Sequence, residues 1–88
     1  MRILNRSGVL VHYELKAGPL RMTMSTAFLE DGEDEEWDSP YRQHQVDGAC
    51  ELHVIVDDLP HVLEADERDT VVIEAADGGG VALRRIPG

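Results

Sequence analysis

The chain has 88 residues, with 18 Asp and Glu against 8 Lys and Arg, a formal net charge of −10 and 42% hydrophobic residues. That length suits a single domain spanning 1–88 with a thin core, one that hides about 60–65% of the surface of the unfolded chain, and it excludes large multi-step enzymes. The acidity opposes direct binding to nucleic acid or to an anionic membrane, both repelled over roughly 8–10 Å, and favours a basic partner or a salty solvent.

Charge is unevenly placed. Residues 1–29 carry Arg2, Arg6, Lys16 and Arg21 against Glu14 alone, net +3, and residues 30–88 carry net −13. The single cysteine, Cys50, cannot form an internal disulfide. The amino-terminal residues lack a long apolar core, and no apolar run reaches the ~18 residues of a membrane helix. The expectation is a protein without a signal peptide, working in the reducing cytoplasm.

Residues 2–5 can form a short leading strand before the Ser7-Gly8 turn. Strict alternation then begins, with Val9, Val11, Tyr13 and Leu15 on one side and Leu10, His12, Glu14 and Lys16 on the other, the pattern of a half-buried strand. After Ala17-Gly18-Pro19, a second strand sets Leu20, Met22, Met24, Thr26 and Phe28 against Arg21, Thr23, Ser25 and Ala27. The short Gly-Pro connection makes the pair an antiparallel hairpin.

Alternation stops at Glu30. Glu30, Asp31, Glu33, Asp34, Glu35, Glu36 and Asp38 supply seven acids in nine residues, with Trp37 among them and Ser39-Pro40 following. A run of like charge repels itself, so residues 30–48 are predicted as a long, mobile acidic loop. A third strand sets Cys50, Leu52, Val54 and Val56 against Glu51, His53, Ile55 and Asp57. Asp58 can cap a helix with Pro60 in its first turn, so 58–66 is predicted as a turn or a helix of one to two turns. Thr70 to Ala75 reads as a strand, Asp77-Gly78-Gly79-Gly80 as a turn, and Val81 to Ile86 as the hairpin partner.

The fold class is therefore all-β or β-rich α+β, about five antiparallel strands in a small sandwich or open barrel with at most one short helix. The expected inner face is Val9, Val11, Tyr13, Leu15, Leu20, Met22, Met24, Phe28, Leu52, Val54, Val56, Val71, Ile73, Val81 and Leu83. Exposed sheet edges allow a homodimer, although edge charges oppose it.

Among candidate sites the acidic run stands first. On an extended segment alternate carboxylates project at roughly 6.6–6.8 Å, of the same order as successive phosphates, and Trp37 offers an anchoring ring. Partner binding is therefore placed on Glu30, Asp31, Glu33, Asp34, Glu35, Glu36, Trp37 and Asp38. Against it stands a solvated loop whose charge serves solubility. The run lacks the ligand spacing of an EF-hand.

His53, Asp57, Asp58 and His61 are close in sequence but match no zinc motif, and no metal or cofactor is assigned. Cys50 and His53, three apart on a strand, face opposite ways and form no dyad. The triple glycine precedes a strand rather than a helix, which argues for a turn and against a phosphate cradle. Arg84 and Arg85 are expected to pair within the fold. No catalytic constellation is found, so the chain is not expected to be an enzyme.

Three functions follow. The first is a small acidic protein-protein interaction module, in its sharpest form an anti-defence type inhibitor that mimics nucleic-acid charge and blocks a basic nucleic-acid-binding protein. The second is a domain whose acidity, with one lysine against seven arginines, is an adaptation to high salt. The third is a small metal- or ligand-binding domain in which His53 and His61 converge with His12 or His44.

Overall fold

The computed structural model describes residues 1–38 and 49–88. The described residues form eight strands: β1 (Arg2–Arg6), β2 (Val11–Ala17), β3 (Met22–Leu29), β4 (Asp34–Glu36), β5 (Ala49–Val56), β6 (Leu59–Asp66), β7 (Thr70–Ala75) and β8 (Val81–Ile86). They form two four-stranded sheets, ordered β4-β1-β7-β8 and β3-β2-β5-β6. The described residues contain no helix.

Inner faces of the two sheets share one core. Ile3, Val71, Ile73 and Val81 come from the first sheet, and Val11, Tyr13, Leu15, Leu29, Leu52, Val54 and Ala65 from the second. β2 shows the sandwich pattern most plainly, since Val11, Tyr13, Leu15 and Ala17 are buried while His12, Glu14 and Lys16 alternate between them on the outer side. All pairs are antiparallel except β1 with β7, which run parallel. Those two strands lie on either side of the whole second sheet in sequence, so no hairpin fixes their relative direction.

The expectation of five strands, all antiparallel, is corrected in three places. β1 is a full member of the sheet, β4 forms inside the acidic run, and β6 replaces the expected turn or short helix. The β5–β6 connection is two residues, Asp57 and Asp58, with φ of 51° and 62°. Two successive left-handed residues make the hairpin turn whose twist matches its strands. Pro60 then sits on an edge strand opposite Ile55, where proline is tolerated, rather than in a first helical turn.

Left-handed backbone costs about 1–2 kcal/mol in most L-residues, and Asp bears it better than most. Replacing Asp58 by Gly removes that cost at an entropic penalty of about 0.5–1 kcal/mol. Asp58→Gly is expected to raise stability by about 0.5 kcal/mol, measured by urea denaturation; a lower midpoint would contradict the turn assignment.

The inner face of β3 is also corrected. Leu15 pairs with Ser25, but Lys16 pairs with Thr23, so Met24 is an extra residue in a bulge. Beyond it the strand presents Ser25, Ala27 and Leu29 inward, and Phe28 outward at 67% exposure. Leu20 lies in the β2–β3 turn and is exposed, as are Val9 and Met22. Met1, Ile3, Ala17, Leu29, Ala65 and Val72 take buried places that the alternation did not assign.

Candidate interaction surfaces

The acidic run lies against the amino-terminal strand. Gly32 N donates to the Asn5 carbonyl at 2.8 Å and Asn5 N to the Glu33 carbonyl at 3.0 Å, and β4 then pairs antiparallel with Arg2, Ile3 and Leu4. Sequence charge explains the attraction, because the basic first third meets the start of the acidic remainder. Asp34 Oδ2 accepts from Arg2 at 3.1 Å and Oδ1 from Arg6 at 2.8 Å. The Arg6 hydrogen bond chiefly, with that of Arg2, holds the Asp34 carboxyl below the ordinary aspartate value.

Several candidate residues thus have work inside the fold. Asp31 Oδ1 accepts from Gly8 N at 2.9 Å, and Glu33 Oε1 accepts from Glu30 N at 2.8 Å. Glu35 shares the register of buried Ile3, and its charge helps raise the Tyr13 pKa. Trp37 is half-buried and packs on the core, its N donating to the Met1 carbonyl and its carbonyl accepting from the Met1 ammonium at 2.6 Å. Glu30, Glu36 and Asp38 are exposed. A structureless loop does not describe 30–38, since 34–36 is a strand; the remainder of the predicted loop, 39–48, lies outside the described residues, as does His44.

Arginines are occupied elsewhere too. Arg21 reaches Glu51 at 3.6 Å, Arg68 reaches Asp66 at 3.0 Å, Arg84 reaches Glu74 at 2.9 Å and Arg85 reaches buried Asp69 at 3.4 Å. The expected pairing of Arg84 and Arg85 within the fold is what the structure has. Exposed Glu30, Glu36, Asp57, Asp58, Glu64 and Asp77 have no ion pair among the described residues.

Among the described histidines, His12 and His53 share the outer face of the second sheet and His61 is turned the other way. His53 lies on the outer face of β5 with Nε2 3.1 Å from Glu51, while His61 pairs with buried Val54 and has the opposite parity. His12 is on the outer face of β2, stacked on Phe28 with ring centroids 4.7 Å apart. No group of three or more His, Cys, Asp or Glu residues among the described ones is arranged to hold a metal ion.

Cys50 points into the core and is 1% exposed. Burial, with Glu67 and Asp66 nearby, pushes its thiol up to about 11. A thiol so placed is nearly all protonated at neutral pH and inert. Native protein is expected to resist alkylation at pH 8 and to react once unfolded in guanidinium; equal rates in both states would contradict the burial.

The triple glycine is a turn. Gly78, Gly79 and Gly80 all have positive φ, and Ala76 N donates to the Gly80 carbonyl, closing the β7–β8 hairpin. No helix of the described residues is long and apolar enough to cross a membrane.

One surface escaped the sequence reading. On the outer face of the second sheet, Phe28, His12, Ile55 and Pro60 stand in register across all four strands. Val62 follows in the next row and Leu10 precedes β2, both more than half exposed. The bulge at Met24 is what turns Phe28 outward, and nothing in the alternation of β3 announces it.

No protein-family model matches the chain, and comparison with curated proteins and with solved structures likewise returned no match.

Proposed function

We propose that this protein is a small interaction module that recognises a basic protein surface. The observation that carries the reading is the distribution of charge. Arg2, Arg6, Arg21, Arg68, Arg84 and Arg85 each pair with an acid of the fold, while the exposed Glu30, Glu36, Asp57, Asp58, Glu64 and Asp77 have no ion pair among the described residues. A cationic partner gains from them in rate and specificity of association, and a like-charged one is rejected.

The nucleic-acid-mimic form of this reading asks for a ladder of carboxylates. β4 offers Asp34 and Glu36 on one face, with Asp34 already held by two arginines. The broader reading, a module for basic partners, therefore has more support than the narrower one of an inhibitor filling a nucleic-acid channel.

Affinity capture from the native cell tests it, using the wild type and a variant carrying Glu30→Gln, Glu36→Gln, Asp57→Asn and Asp58→Asn. A specific basic partner, lost on raising salt and absent with the variant, is expected. An identical set of proteins with both baits would overturn the reading. Melting across salt concentration is the companion measurement: stability that collapses at low salt would reassign the acidity to adaptation to a salty solvent.

A further inference from the structure

We infer that the outer face of the β3-β2-β5-β6 sheet, at the end where β3 finishes and β6 begins, is the docking site for a cationic amphipathic segment of a partner protein. The inference rests on the interaction-module reading and names the surface and the chemistry of its partner.

Two features coincide there. The first is an apolar strip, in which Phe28, Ile55 and Pro60 lie with His12 in one transverse row, spanning about 14–15 Å at ordinary strand spacing. Phe28 is 67% and Val62 54% exposed. A face of a small sandwich that meets only water is usually polar; the other sheet's outer side sets Leu4, Val72 and Ile86 among Arg2, Arg6, Glu74 and Arg84, whereas Phe28, Ile55 and Pro60 share their row with His12 alone. The strip's aromatic ring is fixed by stacking on His12, whose Nε2 lies 2.9 Å from Thr26 Oγ1, so little side-chain entropy remains to be lost on binding.

The second feature is the sign of its rim. Glu30 leaves the end of β3 on one side, and Asp57 and Asp58 form the β5–β6 turn on the other, all exposed. The cations of this sheet, Lys16 and Arg21, belong to its opposite end; Lys16 lies four residues along β2 from His12, about 13 Å away. An apolar strip with carboxylates at both margins, and with no lysine or arginine of this sheet's described residues beside it, complements a segment with apolar anchors in its middle and Lys or Arg flanking them. An anionic membrane is repelled by the same rim. A second copy would bring carboxylates against carboxylates.

Binding of a fluorescent 18-residue Lys/Leu amphipathic peptide, followed by anisotropy, tests the proposal. A Lys/Ser peptide of equal charge serves as control. Expected are saturable binding of the first peptide, weaker binding of the second, and losses of about tenfold or more with Phe28→Ser and of about threefold or more with Asp57→Asn plus Asp58→Asn at low salt. Both substitutions are on exposed residues, and circular dichroism checks that the fold is kept.

Equal binding of the two peptides, or binding indifferent to Phe28→Ser and abolished by Glu36→Gln on the other sheet, would overturn the docking site while leaving the interaction module intact. Absence of saturable binding by the wild type would also overturn it, and the capture experiment then decides the broader reading separately. Sedimentation showing a stable dimer dispersed by Phe28→Ser would assign the strip to a second copy and overturn the proposal as well.

Discussion

Replacing Asn5 by Leu is expected to cost about 3 kcal/mol or more, a large share of the roughly 4–13 kcal/mol that a chain of this length has. Asn5 is wholly buried on β1. Its Nδ2 donates to the Val9 carbonyl at 2.8 Å and to the Leu29 carbonyl at 2.9 Å, and its Oδ1 accepts from Ser7 N at 3.1 Å and Ser7 Oγ at 2.7 Å. One side chain thus satisfies the β1–β2 connection and the end of β3 in the opposing sheet. Leucine fills a similar volume but takes the Asn5 donor from both carbonyls, leaving Val9 only the 3.3 Å contact from Ser7 Oγ, and strips the buried Ser7 amide of its acceptor. Asn5→Asp is expected to be at least as harmful, since it turns an acceptor toward both carbonyls and buries a charge. Urea denaturation decides the matter: either variant within about 1 kcal/mol of the wild type would mean the network does little.

Tyr13 carries the second large effect. It is the largest fully buried side chain among the described residues, with its hydroxyl 2.8 Å from Ser25 Oγ. Tyr13→Ala is expected to cost about 3–5 kcal/mol through lost burial and the cavity left between the sheets, and Tyr13→Phe about 1 kcal/mol.

The phenol also has an alkaline signature. Burial raises its pKa above 10.0, against the Ser25 hydrogen bond, which lowers it, and with a smaller rise from Glu35. Above the unfolded value the unfolded chain loses this proton first, so the stability it contributes is intact below about pH 10 and declines as pH rises through the folded value. Stability of the wild type should fall more steeply above pH 10 than that of Tyr13→Phe; parallel curves would contradict the assignment.

Strand content was largely legible because a thin sandwich enforces period-two burial. β2, β5, β7 and β8 follow from Val11-Tyr13-Leu15, Leu52-Val54, Val71-Ile73 and Val81-Leu83. β6 was hidden by Pro60, which a first helical turn and an edge strand tolerate equally. Its signal was the mirror relation of Leu59, His61, Leu63 and Ala65 to Val56, Val54, Leu52 and Cys50 about Asp57-Asp58. β4 was hidden because self-repulsion of seven acids looked decisive, whereas Arg2 and Arg6 relieve it from 28 or more residues away. Long-range ion pairs of that kind leave no local pattern. The register of β3 failed for a smaller reason, a single bulged residue that exchanges the two faces of a strand.

That exchange bears on function as much as on fold. It removes Phe28 from the core and sets it among Leu10, Ile55, Pro60 and Val62, turning a polar outer face into an apolar one at its acidic end. Trp37, the aromatic that the sequence offers as an anchor, contributes instead to the core. The recognition surface we propose thereby moves from the acidic run alone toward the place where apolar and acidic groups adjoin.

The most direct measurement is a map of backbone amide shifts in isotope-labelled protein during titration with the Lys/Leu peptide. Perturbations are expected to concentrate at 10–12, 26–30 and 54–62, with β7 and β8 unmoved. Perturbations centred on β1 and β4, or spread evenly over both sheets, would contradict the docking site.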